Sequence, residues 1–162
     1  GQVLKNWEAI KRAERTAKGE PERPVSALDG VPRALPGLQR AARLQEKARR
    51  VNFDWTDIRD VFAKVREEVE ELEREAAADN AADHSRVEDE FGDLLFALVN
   101  LGRFLKVDSE AAIQRTNAKF VRRFHHMEAA LRAEGRQPAD CTLEELDALW
   151  NKAKAAERAK AV

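Results

Sequence analysis

Cysteine is nearly absent from this sequence of 162 residues, and long apolar runs are absent altogether. The single cysteine, Cys141, excludes an internal disulfide framework and fits a reducing compartment. No apolar run approaches the roughly 18 residues that a membrane-spanning helix needs. The amino terminus also lacks the hydrophobic segment of a signal peptide. We therefore expect a cytoplasmic protein with no membrane partner.

An excess of charge of either sign is absent too, because 29 lysines and arginines stand against 30 aspartates and glutamates. Without a net positive field, nucleic acid is not an expected partner. Charged residues nevertheless make up 36% of the chain, beside 43% hydrophobic residues. A function that depends on charge must therefore come from local clusters of charged side chains.

Helix-breaking residues are confined to one stretch. Four of the five prolines lie between residues 18 and 37, where each removes a backbone donor and biases its predecessor away from helix. Residues 6–18 before this stretch predict a short helix. We therefore divide the chain into residues 1–37, a short helix plus a linker rich in proline and glycine, and residues 38–162, a helical domain. The sequence opens on Gly1 rather than Met, which fits a processed chain or a segment of a longer one.

Alternation of apolar and polar residues with period two is absent, so the sequence predicts no β-strands. Apolar residues at helical spacing predict an all-α fold, a bundle of antiparallel helices. Thr142 and Glu145 form a capping box for the last helix, and Trp55 is expected to anchor the turn after the first helix. The five helices are predicted to begin near Leu38, Ile58, Arg86, Asp108 or Ser109, and Thr142.

The third predicted helix is apolar on much of its circumference. One stripe is formed by Val87, Phe91, Leu94, Leu98, Leu101 and Leu105, and Phe96 and Val99 lie on the other side. A helix that is apolar on two sides is buried on two sides. We therefore expect this helix at the centre of the fold or at a subunit contact.

Carboxylates lie beside the apolar stripe of the second predicted helix. Helical spacing places Glu68, Glu71 and Glu75 together on one flank. Glu67 and Glu70 point more toward solvent. Because glutamate-rich helices are usually solvated faces, this helix alone indicates an exposed surface rather than a site.

The third helix changes that interpretation. Glu90 borders its apolar stripe, and Asp93 and Asn100 lie farther along the same side. Isolated acids at the edge of a core are costly unless something uses them. Short connections make the two helices neighbours. The carboxylates that can then converge are Glu68, Glu71, Glu90 and Asp93.

Four converging carboxylates predict a metal site. They repel one another, and partial burial raises the free energy of each ionised form. Either some of the carboxyl groups therefore stay protonated, or a cation binds among them. Ligands that are all oxygens suit Mg²⁺, with Mn²⁺ as a possible substitute. Soft metals are disfavoured, because no cysteine or histidine lies near in the pattern.

Basic residues follow one stripe of the fourth predicted helix, at Lys119, Arg123 and His126. The last helix adds Trp150 and, one turn later, Lys154. Lysine and arginine opposite a carboxylate cluster, with an indole nearby, are typical of a site for a polyphosphate and a base. Trp150 fits a core position and a stacking platform equally well.

The motifs together resemble the MazG nucleoside triphosphate pyrophosphohydrolases. EExxE is present as Glu67, Glu68 and Glu71, and ExxD as Glu90 and Asp93. Further blocks are similar in the same order: SALDGVPRALPGLQRA, NFDW, EDEFGDLLFALVNLGR, NAKFVRRF and LDALWNKAK. The resemblance covers nearly the whole chain from Leu4 onward, and it is to the carboxy-terminal catalytic half of the two-domain form.

This resemblance implies an intertwined helical homodimer and Mg²⁺-dependent hydrolysis of NTPs and dNTPs to the monophosphate and pyrophosphate. Water activated by the metal would attack the α-phosphorus, with Glu67 as a candidate to orient it. Residues 38–162 would be the catalytic domain. The implied metal ligands are Glu68, Glu71, Glu90 and Asp93, and the implied nucleotide contacts are Lys119, Arg123, Trp150, Lys154 and Asn100.

Other enzyme classes fit the sequence less well. There is no GxxxxGK phosphate loop, and no Glu-x-x-His pair of a di-iron bundle occurs on these helices. REEVEEL is only superficially similar to the Nudix box, because Glu68 occupies an apolar position of that motif. A dUTP or dCTP hydrolase of the same superfamily and a helical interaction module without activity stay open. The sequence leaves the base preference and the physiological task open as well.

Overall fold

The computed structural model describes residues 26–77 and 84–160, and these residues form five α-helices joined by short connections. No described residue lies in a β-strand, so the predicted all-α class is confirmed. A short 3₁₀ turn, Pro138–Asp140, precedes the last helix. The predicted helix at residues 6–18 lies outside the described residues, and the division at residue 37 stays a prediction. The helices are α1 (Gly37–Arg49), α2 (Ile58–Ala77), α3 (His84–Phe104), α4 (Ser109–Ala133) and α5 (Leu143–Lys160).

Local hydrogen bonds set the ends of the later helices. Asp108 caps α4, because its carboxylate accepts from the Ala111 N–H at 2.9 Å. In the predicted capping box of α5, the Thr142 N–H donates to Glu145 Oε2 at 2.9 Å, and the Glu145 N–H donates to Thr142 Oγ1 at 3.3 Å. Gly135, with φ at 70°, takes the left-handed conformation that ends α4.

Two helix pairs joined through α1 make up the fold. α2 packs along α3, α4 packs along α5, and α1 lies against both α3 and α4. At the contact of α1 with α3, the buried Gln45 side chain donates from Nε2 to the Phe96 carbonyl oxygen at 2.8 Å. The buried apolar residues of the core are Val61, Ala97, Val99, Met127, Leu131 and Ala153.

The connection from α1 to α2 has an anchor that the sequence does not predict. Trp55, the expected anchor, is 45% exposed. An ion pair between Asp54 and Arg103, near the end of α3, fastens the connection. Both side chains are largely buried, so the pair fastens this connection to the third helix.

Apolar side chains also remain on the outside of the fold. α3 buries Ala97 and Val99, but Phe91, Leu98 and Leu105, which belong to its predicted apolar stripe, are each more than 40% exposed. Phe96, on the other predicted side, is 44% exposed. One chain therefore does not bury both apolar sides of α3, and the alternative expectation of a subunit contact stays a prediction. None of the described helices is long and apolar enough to cross a membrane.

Candidate functional site

Three carboxylates from two helices meet where α2 packs along α3. Glu68, Glu71 and Glu90 each offer an oxygen, and these three oxygens lie within 4.8 Å of one another. Glu68 is 5% exposed, whereas Glu71 and Glu90 are half-buried. The three-residue spacing puts the first two on one flank of α2, and helix packing brings Glu90 of α3 to them. The structure thus brings together three of the four predicted ligands.

Asp93 and Glu67 lie at the rim of this cluster. Asp93 is exposed and is not part of the group of three, although it lies one turn along α3 from Glu90. The Glu67 side chain is 56% exposed, as its predicted outer position requires. The centre of the site is therefore formed by Glu68, Glu71 and Glu90.

The electrostatics of the cluster favour a bound cation. Partial burial raises the pKa of Glu90 above its ordinary value, and the negative charges of Glu71, Asp93, Glu68 and Glu75 raise it further. A carboxylate whose ionised form is disfavoured in this way is relieved by a proton or by a cation. Because all three donors are oxygens, the residues present fit a hard divalent cation.

Lys64 compensates the most buried member of the cluster and is not among the site residues that the sequence predicts. Its Nζ lies 2.8 Å from Glu67 Oε1 and 2.7 Å from Glu68 Oε1. These hydrogen bonds raise the pKa of Lys64, so its ammonium group stays charged. The spacing of four residues between Lys64 and Glu68 is the signal from which the pair could have been predicted.

The predicted basic and aromatic residues collect on the pair of α4 and α5. Arg123 Nε donates to Glu157 Oε2 at 2.8 Å, and this hydrogen bond lowers the pKa of Glu157. The Arg123 guanidinium carbon lies 5.7 Å from the centroid of the Trp150 ring. Trp150 also contacts Phe120, with ring centroids 5.1 Å apart. Trp150 is thus half-buried between a ring and a cation, which leaves both predicted roles possible.

The two predicted lysines differ from Arg123, because neither has a carboxylate partner among the described residues. Lys119 and Lys154 are both half-buried. Neither forms an ion pair with any residue in the described part of the chain, whereas Arg123 and Arg122 both pair with Glu157. Their ammonium groups are therefore open to an added anion.

Asn100, the last predicted contact, lies on the face of α3 that carries Asp93. Its Oδ1 accepts a hydrogen bond from Arg103 Nη2 at 2.7 Å. The same Nη2 donates to Asp54. Neither Arg103 nor Asp54 is predicted as a site residue from the sequence, because the two lie 49 positions apart and no local pattern links them.

Known proteins are similar to this chain over most of its length. Residues 57–128 match the MazG nucleotide pyrophosphohydrolase domain. The nucleoside triphosphate pyrophosphohydrolase of Escherichia coli (strain K12) is 42% identical over 153 residues, which are 94% of this chain and 56% of that protein. The nucleoside triphosphate pyrophosphohydrolase/pyrophosphatase MazG of Thermotoga maritima is 40% identical over 154 residues, or 95% of this chain and 56% of that protein.

A third relative is the uncharacterized protein YabN of Bacillus subtilis, which is 47% identical over 156 residues. These make up 96% of this chain and 30% of that protein. The chain therefore spans little more than half the length of the two named pyrophosphohydrolases. The matched residues 57–128 contain all three carboxylates of the cluster as well as Lys119 and Arg123. These matches confirm the resemblance that the sequence motifs indicate: residues 57–128 match the MazG nucleotide pyrophosphohydrolase domain, and the chain is similar to the two named pyrophosphohydrolases over nearly its whole length.

Proposed function

We propose that this chain hydrolyses nucleoside triphosphates to nucleoside monophosphates and pyrophosphate. The observation that carries the proposal is the cluster of Glu68, Glu71 and Glu90, whose oxygens lie within 4.8 Å of one another. Glutamates on a solvated surface would keep their side chains apart, because each negative charge raises the free energy of the ionised form of its neighbours. The names of the Escherichia coli and Thermotoga maritima relatives support the same reaction.

Mg²⁺ is the proposed cofactor, with Mn²⁺ as a substitute. Glu68, Glu71 and Glu90 would hold the ion, and Asp93 would join them from the rim. When bound, such an ion supplies charge for the phosphate oxygens and lowers the pKa of a water molecule. Lys64 holds one Glu68 oxygen at 2.7 Å and so orients the carboxylate toward its neighbours.

The basic side chains of α4 and α5 are proposed to bind the phosphates. Lys119 and Lys154 have no described carboxylate partner, so they are free to receive the β- and γ-phosphates and to stabilise pyrophosphate as it leaves. Arg123 would add a planar fork of donors once it turns from Glu157. Glu67, exposed at the rim, would orient the attacking water. Trp150 offers a ring face to the base.

A second copy of the chain is proposed to complete the site. Within one chain, the carboxylates lie on the pair of α2 and α3, whereas the basic residues lie on the pair of α4 and α5. Each pair packs mainly on itself. The open apolar face of α3, with Phe91, Leu98 and Leu105, offers a surface through which two copies would associate.

The identity of the products tests the reaction. With Mg²⁺ and ATP or dUTP, the protein should release pyrophosphate and a monophosphate, and release of a diphosphate and orthophosphate would overturn the proposal. Glu71→Ala should lower turnover by about a hundredfold or more, because losing a metal ligand removes several kcal/mol of transition-state stabilisation. Glu73→Gln is the matched control, because Glu73 is exposed on α2 and lies outside the cluster.

Two competing functions give different results in the same experiments. A helical module without activity would show no turnover, and neither Mg²⁺ nor nucleotide would raise its melting temperature. A hydrolase specialised for dUTP or dCTP would show turnover with one pyrimidine nucleotide and not with the rest of a panel of NTPs and dNTPs. Both a general and a specialised hydrolase bind Mg²⁺ and nucleotide, so either enzyme should show a higher melting temperature when these ligands are added.

A further inference from the structure

Arg103 forms a buried link between two parts of the fold that meet beside the proposed nucleotide site. Its Nη2 donates both to Asp54 Oδ1, in the connection from α1 to α2, and to Asn100 Oδ1, one turn earlier on α3. The Arg103 and Asp54 side chains are only 17% and 14% exposed. The guanidinium carbon also lies 5.0 Å from the centroid of the Phe104 ring. Arg103 is therefore held on more than one side.

The hydrogen bond from Arg103 determines which way the Asn100 carboxamide faces. A guanidinium group only donates hydrogen bonds, so the carboxamide must turn its oxygen toward Arg103. The Asn100 nitrogen, with its two hydrogens, then points away from Arg103. An asparagine without such a partner could present either atom, because oxygen and nitrogen are nearly equal in shape.

Asp54 in turn keeps Arg103 in place. A largely buried guanidinium is costly without a carboxylate partner, and Asp54 supplies one. The pair also fixes the connection from α1 to α2 against α3. Asp54 therefore holds Arg103 in place, and Arg103 in turn orients Asn100.

The position of Asn100 along α3 indicates which part of the nucleotide it meets. Asn100 follows Asp93 by seven residues, which places it on the same helical face about 10 Å farther along the axis. A triphosphate whose α-phosphate lies at the carboxylates would extend its sugar and base over such a distance. Asn100 Nδ2 would then donate to an oxygen or ring nitrogen of the nucleoside rather than to the phosphates.

We propose that Arg103, held by Asp54, is a positioning residue that turns Asn100 Nδ2 toward the nucleoside part of the substrate. This proposal rests on the proposed function, since it needs a nucleotide bound at the carboxylates. It adds two residues, Asp54 and Arg103, that determine nucleoside recognition without touching the substrate.

The test is a double-mutant cycle on nucleotide binding. The probes are pyrophosphate and the monophosphate that the wild-type protein releases, AMP or dUMP, each titrated in the presence of Mg²⁺. Asn100→Ala and Arg103→Met should each weaken monophosphate binding by about fivefold, the effect of one lost hydrogen bond. The double variant should bind no more weakly than either single variant, because Arg103 acts through Asn100. Pyrophosphate binding should stay unchanged throughout.

Arg103→Lys is the second variant, which keeps a positive charge beside Asp54 if Arg103→Met does not fold. It retains a donor but not the planar fork, so its monophosphate affinity should lie between those of the wild type and Asn100→Ala. Arg49→Met removes an exposed arginine paired with Glu46 and is the matched control, expected to bind both probes normally.

Two results would overturn the proposal while leaving the proposed function intact. One is a double variant whose loss of monophosphate affinity is the product of the two single losses, because independent effects mean that Arg103 does not act through Asn100. The other is an equal loss of pyrophosphate binding, which a merely structural role would cause. Failure of the proposed function has a separate signature, namely that the wild-type protein neither hydrolyses any triphosphate nor binds either probe.

Discussion

Glu90 is the residue at which the local electrostatics oppose the ionised state most clearly. Its pKa is raised by partial burial and then by the charges of its carboxylate neighbours. A carboxylate with a raised pKa binds its proton more tightly in the folded chain than in the unfolded one. Its stabilising contribution is therefore fully present below the unfolded pKa, about 4.3, and is lost as the pH rises through the folded pKa.

Glu90→Gln is therefore expected to raise the melting temperature of the metal-free protein at neutral pH. The gain should shrink as the pH falls toward 4, where Glu90 of the wild type also becomes neutral. Mg²⁺ should raise the melting temperature of the wild type but not of this variant. The measurement is thermal unfolding with and without Mg²⁺ at several pH values, with Glu88→Gln on the exposed side of α3 as control. A metal-free Glu90→Gln protein that melts below the wild type at neutral pH would contradict this electrostatic account.

At the residue scale, helical spacing predicts part of the candidate site but not the residues that hold it in place. Glu68 and Glu71 follow from their three-residue spacing on α2, and Glu90 from its place beside an apolar stripe. The link from Asp54 to Arg103 joins residues 49 positions apart, so only the folded chain brings it together. Asp93 has the predicted helical position, but the direction of its side chain depends on packing that the spacing does not specify.

Gly102 of α3 lies close to Ser109, the first residue of α4. A Cβ atom at this buried glycine would lie 2.5 Å from Ser109 Oγ and 3.4 Å from the Val107 carbonyl oxygen. A Cβ at Gly92, earlier on the same helix, would meet nothing within 4 Å. The two glycines thus share a helical backbone but differ in the space beside them.

Gly92→Ala should stabilise the protein by about 0.5–1 kcal/mol, because alanine loses less backbone entropy in a helix. Gly102→Ala should raise the free energy of unfolding by less, or should lower it, since the Ser109 hydroxyl must turn away. In a Ser109→Ala background, the effect of Gly102→Ala should approach that of Gly92→Ala. Chemical denaturation of the single and double variants measures these differences. If Ser109→Ala leaves the effect of Gly102→Ala unchanged, the close contact is not what limits this position.

The capping box of α5 gives a second prediction for a single element. Thr142→Ala should lower the free energy of unfolding by about 1 kcal/mol, whereas Thr142→Ser keeps the hydroxyl and should change it little. The Thr142 N–H, and then Arg136, lower the pKa of Glu145. The contribution of Glu145 is therefore present above about pH 4.3 and is lost as the pH falls through its folded pKa.

Glu145→Gln should accordingly melt below the wild type at pH 7 and match it near pH 3. Thermal unfolding at the two pH values measures this difference. A deficit that persists unchanged at low pH would mean that the charge of Glu145 is not the source of its effect. Helix ends of this kind are predictable from sequence because the cap and its partner lie three residues apart. The anchoring of the connection after α1 is not predictable in this way, since Asp54 pairs with Arg103, which lies far along the chain on α3.

At the scale of the whole molecule, the distribution of charge and apolar surface favours two copies acting together. The sequence predicts the open face of α3 correctly as apolar, but one chain offers nothing among the described residues to cover Phe91, Leu98 and Leu105. Periodicity specifies which side of a helix is apolar, and it does not specify whether another chain covers that side. These three side chains are 43–53% exposed, too much for the edge of a core.

Leu98→Glu should therefore produce a monomer, because a charge in the middle of an apolar interface is left without a partner. Leu143→Glu is the matched control, since Leu143 is 77% exposed at the start of α5 and away from this stripe. Sedimentation equilibrium measures the mass of each variant. A dimer that survives Leu98→Glu would place the contact between copies elsewhere on the surface.

Complementation between two inactive variants tests whether the site is shared between copies. Glu71→Gln removes a carboxylate on α2, and Arg123→Met removes a cation on α4. If the carboxylates of one copy act with the basic residues of the other, a mixed dimer contains one site in which both groups are intact. Mixing the two inactive proteins, after exchange of subunits, should then restore up to about a quarter of the wild-type activity, since half of the dimers are mixed and each has one site. Because a site built within one chain gives no active combination, activity that stays at the level of the separate variants would assign the carboxylates and the cations to the same copy.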